Sequence, residues 1–153
     1  MTIAMLIIHG LASVVLLGGL THQVTSSLSV PGRGKANTGG GFIQRYRSVD
    51  GSVMANAVIV AYLLTFALGA LIYPSYRLDV RIALVEMQLP WAIGLFEIKE
   101  HWAAIGLAAL PLYRHLWRCG PPSPARLLLT CLLASVVWFN FLVGHLLNNL
   151  RGI

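Results

Sequence analysis

Four apolar runs divided by polar or proline-rich breaks set the pattern of this chain. The first, residues 3–20 (I-A-M-L-I-I-H-G-L-A-S-V-V-L-L-G-G-L), is broken only by His9, Ser13 and glycines, and Thr21-His22-Gln23 follow it. A second run over 52–73 ends in Tyr73 and is stopped by Pro74; a third covers 91–115 and a fourth 126–148. At 1.5 Å per residue each is long enough to cross about 30 Å of hydrocarbon, and apolar residues on all sides of a helix suit lipid better than water. The expected spans are about 3–22, 52–73, 91–115 and 126–148. The expectation is an all-α integral membrane protein, a single domain over 1–153, folded as an up-down bundle of four transmembrane helices.

The breaks fit that plan. Val24 to Gly51 is rich in Ser, Gly and basic residues and contains Gly39-Gly40-Gly41, which reads as a solvated loop. Ser75 to Leu89 carries Arg77 and Arg81 four apart, with Asp79 and Glu86, and predicts a short interfacial helix. Arg114 to Arg126 holds Gly120-Pro121-Pro122 and Pro124 and predicts a tight turn. Met1 to Leu6 has no Lys or Arg, so the first run reads as a retained helix rather than a signal peptide.

Composition narrows the class. With 57% hydrophobic and 10% charged residues, the chain is too apolar for a soluble domain of its size. The net charge of +6 comes from basic residues that mostly flank apolar runs, where topology and lipid head groups account for them, so no nucleic-acid partner is expected. Arg33, Lys35, Arg45, Arg47, Arg114, Arg118 and Arg126 fall on one side of the expected bundle, and Arg77, Arg81 and Arg151 on the other. The positive-inside rule then places both termini outside, in a bacterial inner membrane. Cys119 and Cys131 have no C-x-x-C or metal-type spacing.

Candidate chemistry concentrates in the third run, where Glu97, Lys99, Glu100 and His101 occur within one turn and a half. A charged side chain at mid-membrane costs about 2.5–3.5 kcal/mol on insertion scales, so such groups need partners; His9, Arg81 and His145 are the expected ones for Glu97. At about 100° per residue Glu97, His101 and His115 share a face and Lys99 points nearly opposite. In the up-down topology His9 and His101 lie in the outer half, which His145 re-enters from the fourth helix, while His22 and His115 lie at the inner boundary. Two levels of paired histidines are what two stacked haems require, since each iron takes an imidazole from each of two helices. His9 and His22 are about 140° apart around an ideal helix, which works against the inner pair. The pattern resembles the dihaem core of b-type cytochromes.

The first helix, I-H-G-L-A-S-V-V-L-L-G-G-L, with the third, E-I-K-E-H-W-A-A-I-G-L-A-A-L-P-L-Y-R-H, resembles small four-helix membrane proteins. These include the CopD-type copper-resistance proteins and the haem-containing membrane protoporphyrinogen oxidase. The resemblance covers those two helices and implies that His9 and Lys99 are the residues on which function depends.

The function expected is that of a membrane-integral b-type haem protein in electron transfer or membrane redox chemistry. His9 and His101 would be its axial ligands, Lys99 the alternate to His101, and Glu97 would orient an imidazole or handle protons. His145, His22 and His115 complete the cofactor-binding set. Beyond lipid, partners would be other membrane subunits or a quinone. Two alternatives stand beside it: a cofactor-free accessory subunit of a larger membrane complex, and a copper or zinc site in which His9 and His101 join His145 and a carboxylate, Glu97 or Glu100.

Overall fold

A computed structural model describes residues 3–28 and 49–150. The loop expected over 24–51 falls largely outside the described residues. So do Arg33, Lys35, Arg45, Arg47 and Arg151, on which the charge asymmetry leaned.

Every regular element among the described residues is helical. Helix α1 spans Ile3–Leu28 and α2 spans Gly51–Ser75; a five-residue π-helical stretch, Tyr76–Val80, joins α2 to the short α3, Arg81–Glu86; α4 spans Pro90–Arg118 and α5 Pro124–Leu150. The four long helices form a closed ring in which α1 packs on α2 and α5, and α4 packs on the same two. Helix α1 thus faces α4 across the middle. One end of the ring gathers the start of α1, the end of α2, the start of α4 and the end of α5 around a common recess. At the other end Gln23 Nε2 donates to the Gly51 carbonyl at 3.1 Å, and Trp117 Nε1 donates to Thr130 Oγ1 at 3.2 Å. Successive long helices therefore run in opposite directions.

Among the described residues three helical stretches are long and apolar enough to cross a membrane: Ile3–Leu28, Gly51–Glu86 and Pro124–Leu150. Helix α4 has the length, at 29 residues, but the charges around Lys99 set its composition apart from the other three. The centre of the ring is built from medium and small apolar side chains, including Ala55, Val58, Leu110, Leu133 and Val137, around two large ones, Tyr62 and Tyr113. Large apolar residues such as Ile7, Leu11 and Val15 on α1, Leu64 and Leu71 on α2, and Leu128, Leu132 and Leu142 on α5 point outward.

Helix α1 continues six residues past the boundary expected at His22, because Thr25 and Ser26 turn their hydroxyls back onto carbonyls one turn earlier and stay in register with the helix. Pro74 does not stop α2. A proline removes one N–H and crowds the carbonyl four residues before it, here that of Ala70, and the following π-helical turn takes up the displaced register. The interfacial helix expected after Pro74 is thus the tail of one bent rod, Gly51–Glu86.

The rod ends in a Schellman arrangement. Leu89 N–H bonds the Leu84 carbonyl and Gln88 N–H the Val85 carbonyl, with Gln88 at φ 56° in the left-handed region. Pro90 then opens α4 at a position where its missing N–H costs nothing. At the start of α2, Asp50 Oδ1 accepts from the amides of Ser52 (2.7 Å) and Val53 (3.4 Å), an N-cap.

Candidate functional site

Between α1 and α4 the ring encloses a cavity of about 100 Å³, lined by His9, Ser13, Tyr62, Thr65, Gly69, Lys99, Glu100 and Asn140 among others. Its wall is shared with a wider recess of about 300 Å³ that reaches Tyr73, Tyr76, Phe96, His145 and Asn148 toward the open end of the ring. Together they form a mainly apolar pocket into which several polar side chains converge.

The sequence builds this pocket from several elements. Helix α1 presents His9 and, one turn on, Ser13, whose hydroxyl bonds back to the His9 carbonyl at 2.8 Å. Gly69 on α2 lies against the imidazole: a Cβ there would be in ordinary van der Waals contact, 3.4 Å from His9 Cε1. The His9 ring also reaches the backbone of Thr65, while Nδ1 is buried without a hydrogen-bond partner among the described residues. Thr65 Oγ1, Asn140 Oδ1 and Tyr76 Oη, all on the walls of the cavity or recess, are buried and unpartnered in the same way. Four orphaned polar atoms around one space are unusual, because a buried polar group without a partner costs about 1–3 kcal/mol.

Helix α4 contributes the charges. Lys99 Nζ lies 3.0 Å from Glu100 Oε1 and 4.7 Å from the centre of the Phe96 ring, so the ammonium has an anion on one side and a π-face on the other. Phe96 in turn stacks on Tyr76 with ring centres 3.4 Å apart, which makes an aromatic wall of the recess.

The remaining site candidates lie elsewhere. Glu97 and His101 are exposed on the outer face of α4, tied to each other by His101 Nδ1 and the Glu97 carbonyl at 2.6 Å. Glu97 makes no side-chain hydrogen bond or ion pair among the described residues, and the partners expected for it, His9, Arg81 and His145, do not take that role. Helix α4 is therefore rotated so that Lys99, not His101, meets the His9 cavity. His145 lies exposed at the rim of the recess, bonded through Nε2 to Asn149 at 3.2 Å. His115 lies exposed in a separate groove with Arg114 and Arg118, and His22 does not line that groove. Among the described residues no three His, Cys, Asp or Glu side chains come together to hold a metal, so the three-helix copper or zinc set is not assembled.

Thr65, Gly69 and Asn140 escaped the sequence reading as site residues, since each is a mild polar or small residue within an apolar run. Their signal is joint: a hydroxyl, a glycine and an amide fall at similar depth once the up-down order is drawn.

The arrangement can bind a ligand that combines an apolar body with hydrogen-bonding groups, with Lys99 and Glu100 paired at 3.0 Å on its wall. The chain matches no protein-family model, and no curated protein or solved structure is significantly similar to it.

Proposed function

We propose that the chain is an integral membrane protein in which α4 is the fourth transmembrane helix and the cavity between α1 and α4, widened into the adjoining recess, holds haem b. The single observation that carries the reading is His9, a half-buried imidazole whose Nδ1 is buried without a partner among the described residues, on the wall of a cavity that also receives Lys99 from the facing helix. Ionisable residues inside a membrane bundle are expensive and mark function more often than packing. The outward apolar side chains of α1, α2 and α5 favour lipid as their solvent.

The donor set fits the group. An imidazole and an amine are strong iron ligands, Thr65 supplies a backbone group of the kind that orients a ligating histidine, and the Tyr76–Phe96 stack supplies an apolar wall. His9 and Lys99 would be the residues that hold the iron. Bound there, the haem would supply one-electron transfer. Lys99 would need to surrender a proton to become a ligand, and Glu100, already hydrogen-bonded to it, is the group placed to take it.

One observation favours a second reading. Lys99, Glu100 and Phe96 satisfy one another without help, as they would in a cofactor-free subunit that uses the pair to fix helix packing. Protein expressed with ample haem and purified in mild detergent separates the two. The haem reading expects a Soret band that sharpens on dithionite reduction and about one iron per chain; a colourless, iron-free preparation would move the choice to the accessory subunit.

A further inference from the structure

At the opposite end of the ring from His9, a groove of about 590 Å³ runs between α2 and α4. Its floor is apolar: Ile59 and Leu63 from α2, Leu107, Leu110 and Pro111 from α4. Its rim carries the cations Arg114 and Arg118 with His115 between them, and exposed Cys119 lies beside them. From Leu107 to Arg118 the helix rises about 16 Å, enough to run from a buried acyl chain to a head group.

The two arginines lack counter-ions. The chain has five acidic residues, Asp50, Asp79, Glu86, Glu97 and Glu100, and all are described. The salt bridge among the described residues is Lys99–Glu100, at the other end of the ring. Asp50 is the one acid at the groove's end of the bundle, and it is engaged in capping α2. Arg114 and Arg118 therefore present uncompensated positive charge at the mouth of an apolar trough. The neighbouring Arg126 is not in that position, since it stacks on Trp117 at 4.5 Å.

We propose that this groove is a specific site for an anionic phospholipid, with Arg114 and Arg118 on the head-group phosphate, His115 at its edge and an acyl chain along Leu63, Leu107 and Pro111. An apolar floor below a basic rim selects a molecule that is anionic at one end and hydrocarbon at the other; a basic pocket between helices at the membrane surface is a common head-group site. The inference rests on the chain being embedded in a membrane and is independent of any haem.

Cys119 supplies the readout. In a Cys131→Ser background, the rate of maleimide modification of Cys119 in detergent is measured as phosphatidylglycerol or phosphatidylcholine is titrated in. Phosphatidylglycerol should saturably slow modification while phosphatidylcholine does not. Arg114→Gln with Arg118→Gln should weaken that protection about 25-fold, since each arginine near an anionic head group is worth about a factor of five. Arg114→Lys with Arg118→Lys should retain most of it, and the charge-matched Arg77→Gln with Arg81→Gln at the far end should leave it unchanged. Equal protection by both lipids, equal protection by inorganic phosphate, or full protection in the Arg114→Gln, Arg118→Gln variant would each overturn the site. Membrane embedding is checked separately, by co-flotation of the protein with phosphatidylcholine vesicles in alkaline carbonate.

Discussion

Tyr62 lies over Gly106 so closely that a side chain at position 106 would collide with its hydroxyl, and that hydroxyl donates to the Ala103 carbonyl at 2.8 Å. A glycine on α4 and a buried tyrosine on α2 thus act as one unit that sets how near the two helices approach, beside the cavity that Tyr62 also lines. Gly106→Ala should displace the ring and break its hydrogen bond, destabilising the protein by about 1–3 kcal/mol. Tyr62→Phe, which removes the bond and keeps the shape, should cost about 0.5–1.5 kcal/mol. Thermal unfolding in detergent measures both. Gly106→Ala with wild-type stability would show that the close approach is not needed.

The turn before α4 makes a prediction of opposite sign. Gln88 holds φ 56°, a conformation in which its Cβ crowds the backbone, and its role as the left-handed cap of a Schellman motif is one that glycine fills without strain. Gln88→Gly should raise stability by about 0.5–1 kcal/mol despite the greater entropy that glycine has in the unfolded chain. A lower melting temperature would mean that the Gln88 side chain contributes something its exposed position does not indicate.

How far the sequence was legible depends on what each residue had to distinguish. Helices, their order and the turn at Gly120-Pro121-Pro122 followed from the apolar runs, because runs of that length have few alternatives. The rotation of α4 did not follow. In a soluble helix the apolar stripe points inward, but Trp102, Ile105 and Leu112 are large, apolar and exposed, so hydrophobicity does not distinguish inside from outside. Size does not mark the inner face either: Ala92, Gly106, Leu110 and Tyr113 are the buried residues of the helix, and what they share is one stripe around it that includes Lys99. Reading those positions as the inner face would have put Lys99 toward His9 and turned His101 away. The path through Pro74 was missed for a different reason, since the rule that proline ends a helix takes no account of a π-helical turn that restores the register.

Asp50 gives the pH dependence. Hydrogen bonding from Ser52, and then from the Val53 amide, holds its carboxyl below the ordinary range. A carboxylate depressed on folding contributes stability above its unfolded pKa and loses it as pH falls toward the folded value. Wild type should therefore show a loss of stability on acidification through the range just below pH 4 that Asp50→Asn, which can still cap α2 as a neutral side chain, does not share. Melting temperatures at neutral pH and across that acid range test it, and identical acid profiles for the two proteins would remove Asp50 as their source.

Lys99 and Glu100 should behave as a pair. Each is only partly exposed, so deleting one leaves the other charged and poorly solvated, whereas deleting both leaves a neutral wall. Lys99→Met and Glu100→Gln should each destabilise by about 1–3 kcal/mol. The double variant should lose less than the sum, with a coupling of about 1 kcal/mol or more in a double-mutant cycle. Strict additivity would indicate that the 3.0 Å contact carries no net energy.

The roles of Lys99 and His101 then follow from colour. The rotation of α4 puts Lys99 on the His9 cavity and leaves His101 outside it, bonded to the Glu97 carbonyl. If haem binds between α1 and α4, His101→Ala should keep the Soret band and its reduced form nearly unchanged. His9→Ala should abolish haem binding, and Lys99→Ala should either abolish it or leave a high-spin spectrum, because one strong-field ligand would remain. Glu100→Gln, which leaves both proposed iron ligands in place, should keep the haem. Far-UV circular dichroism of each variant guards against reading misfolding as ligand loss. A colourless His101→Ala beside a coloured Lys99→Ala, both fully helical, would reverse the assignment and require α4 to turn by about 160° from its place in the ring.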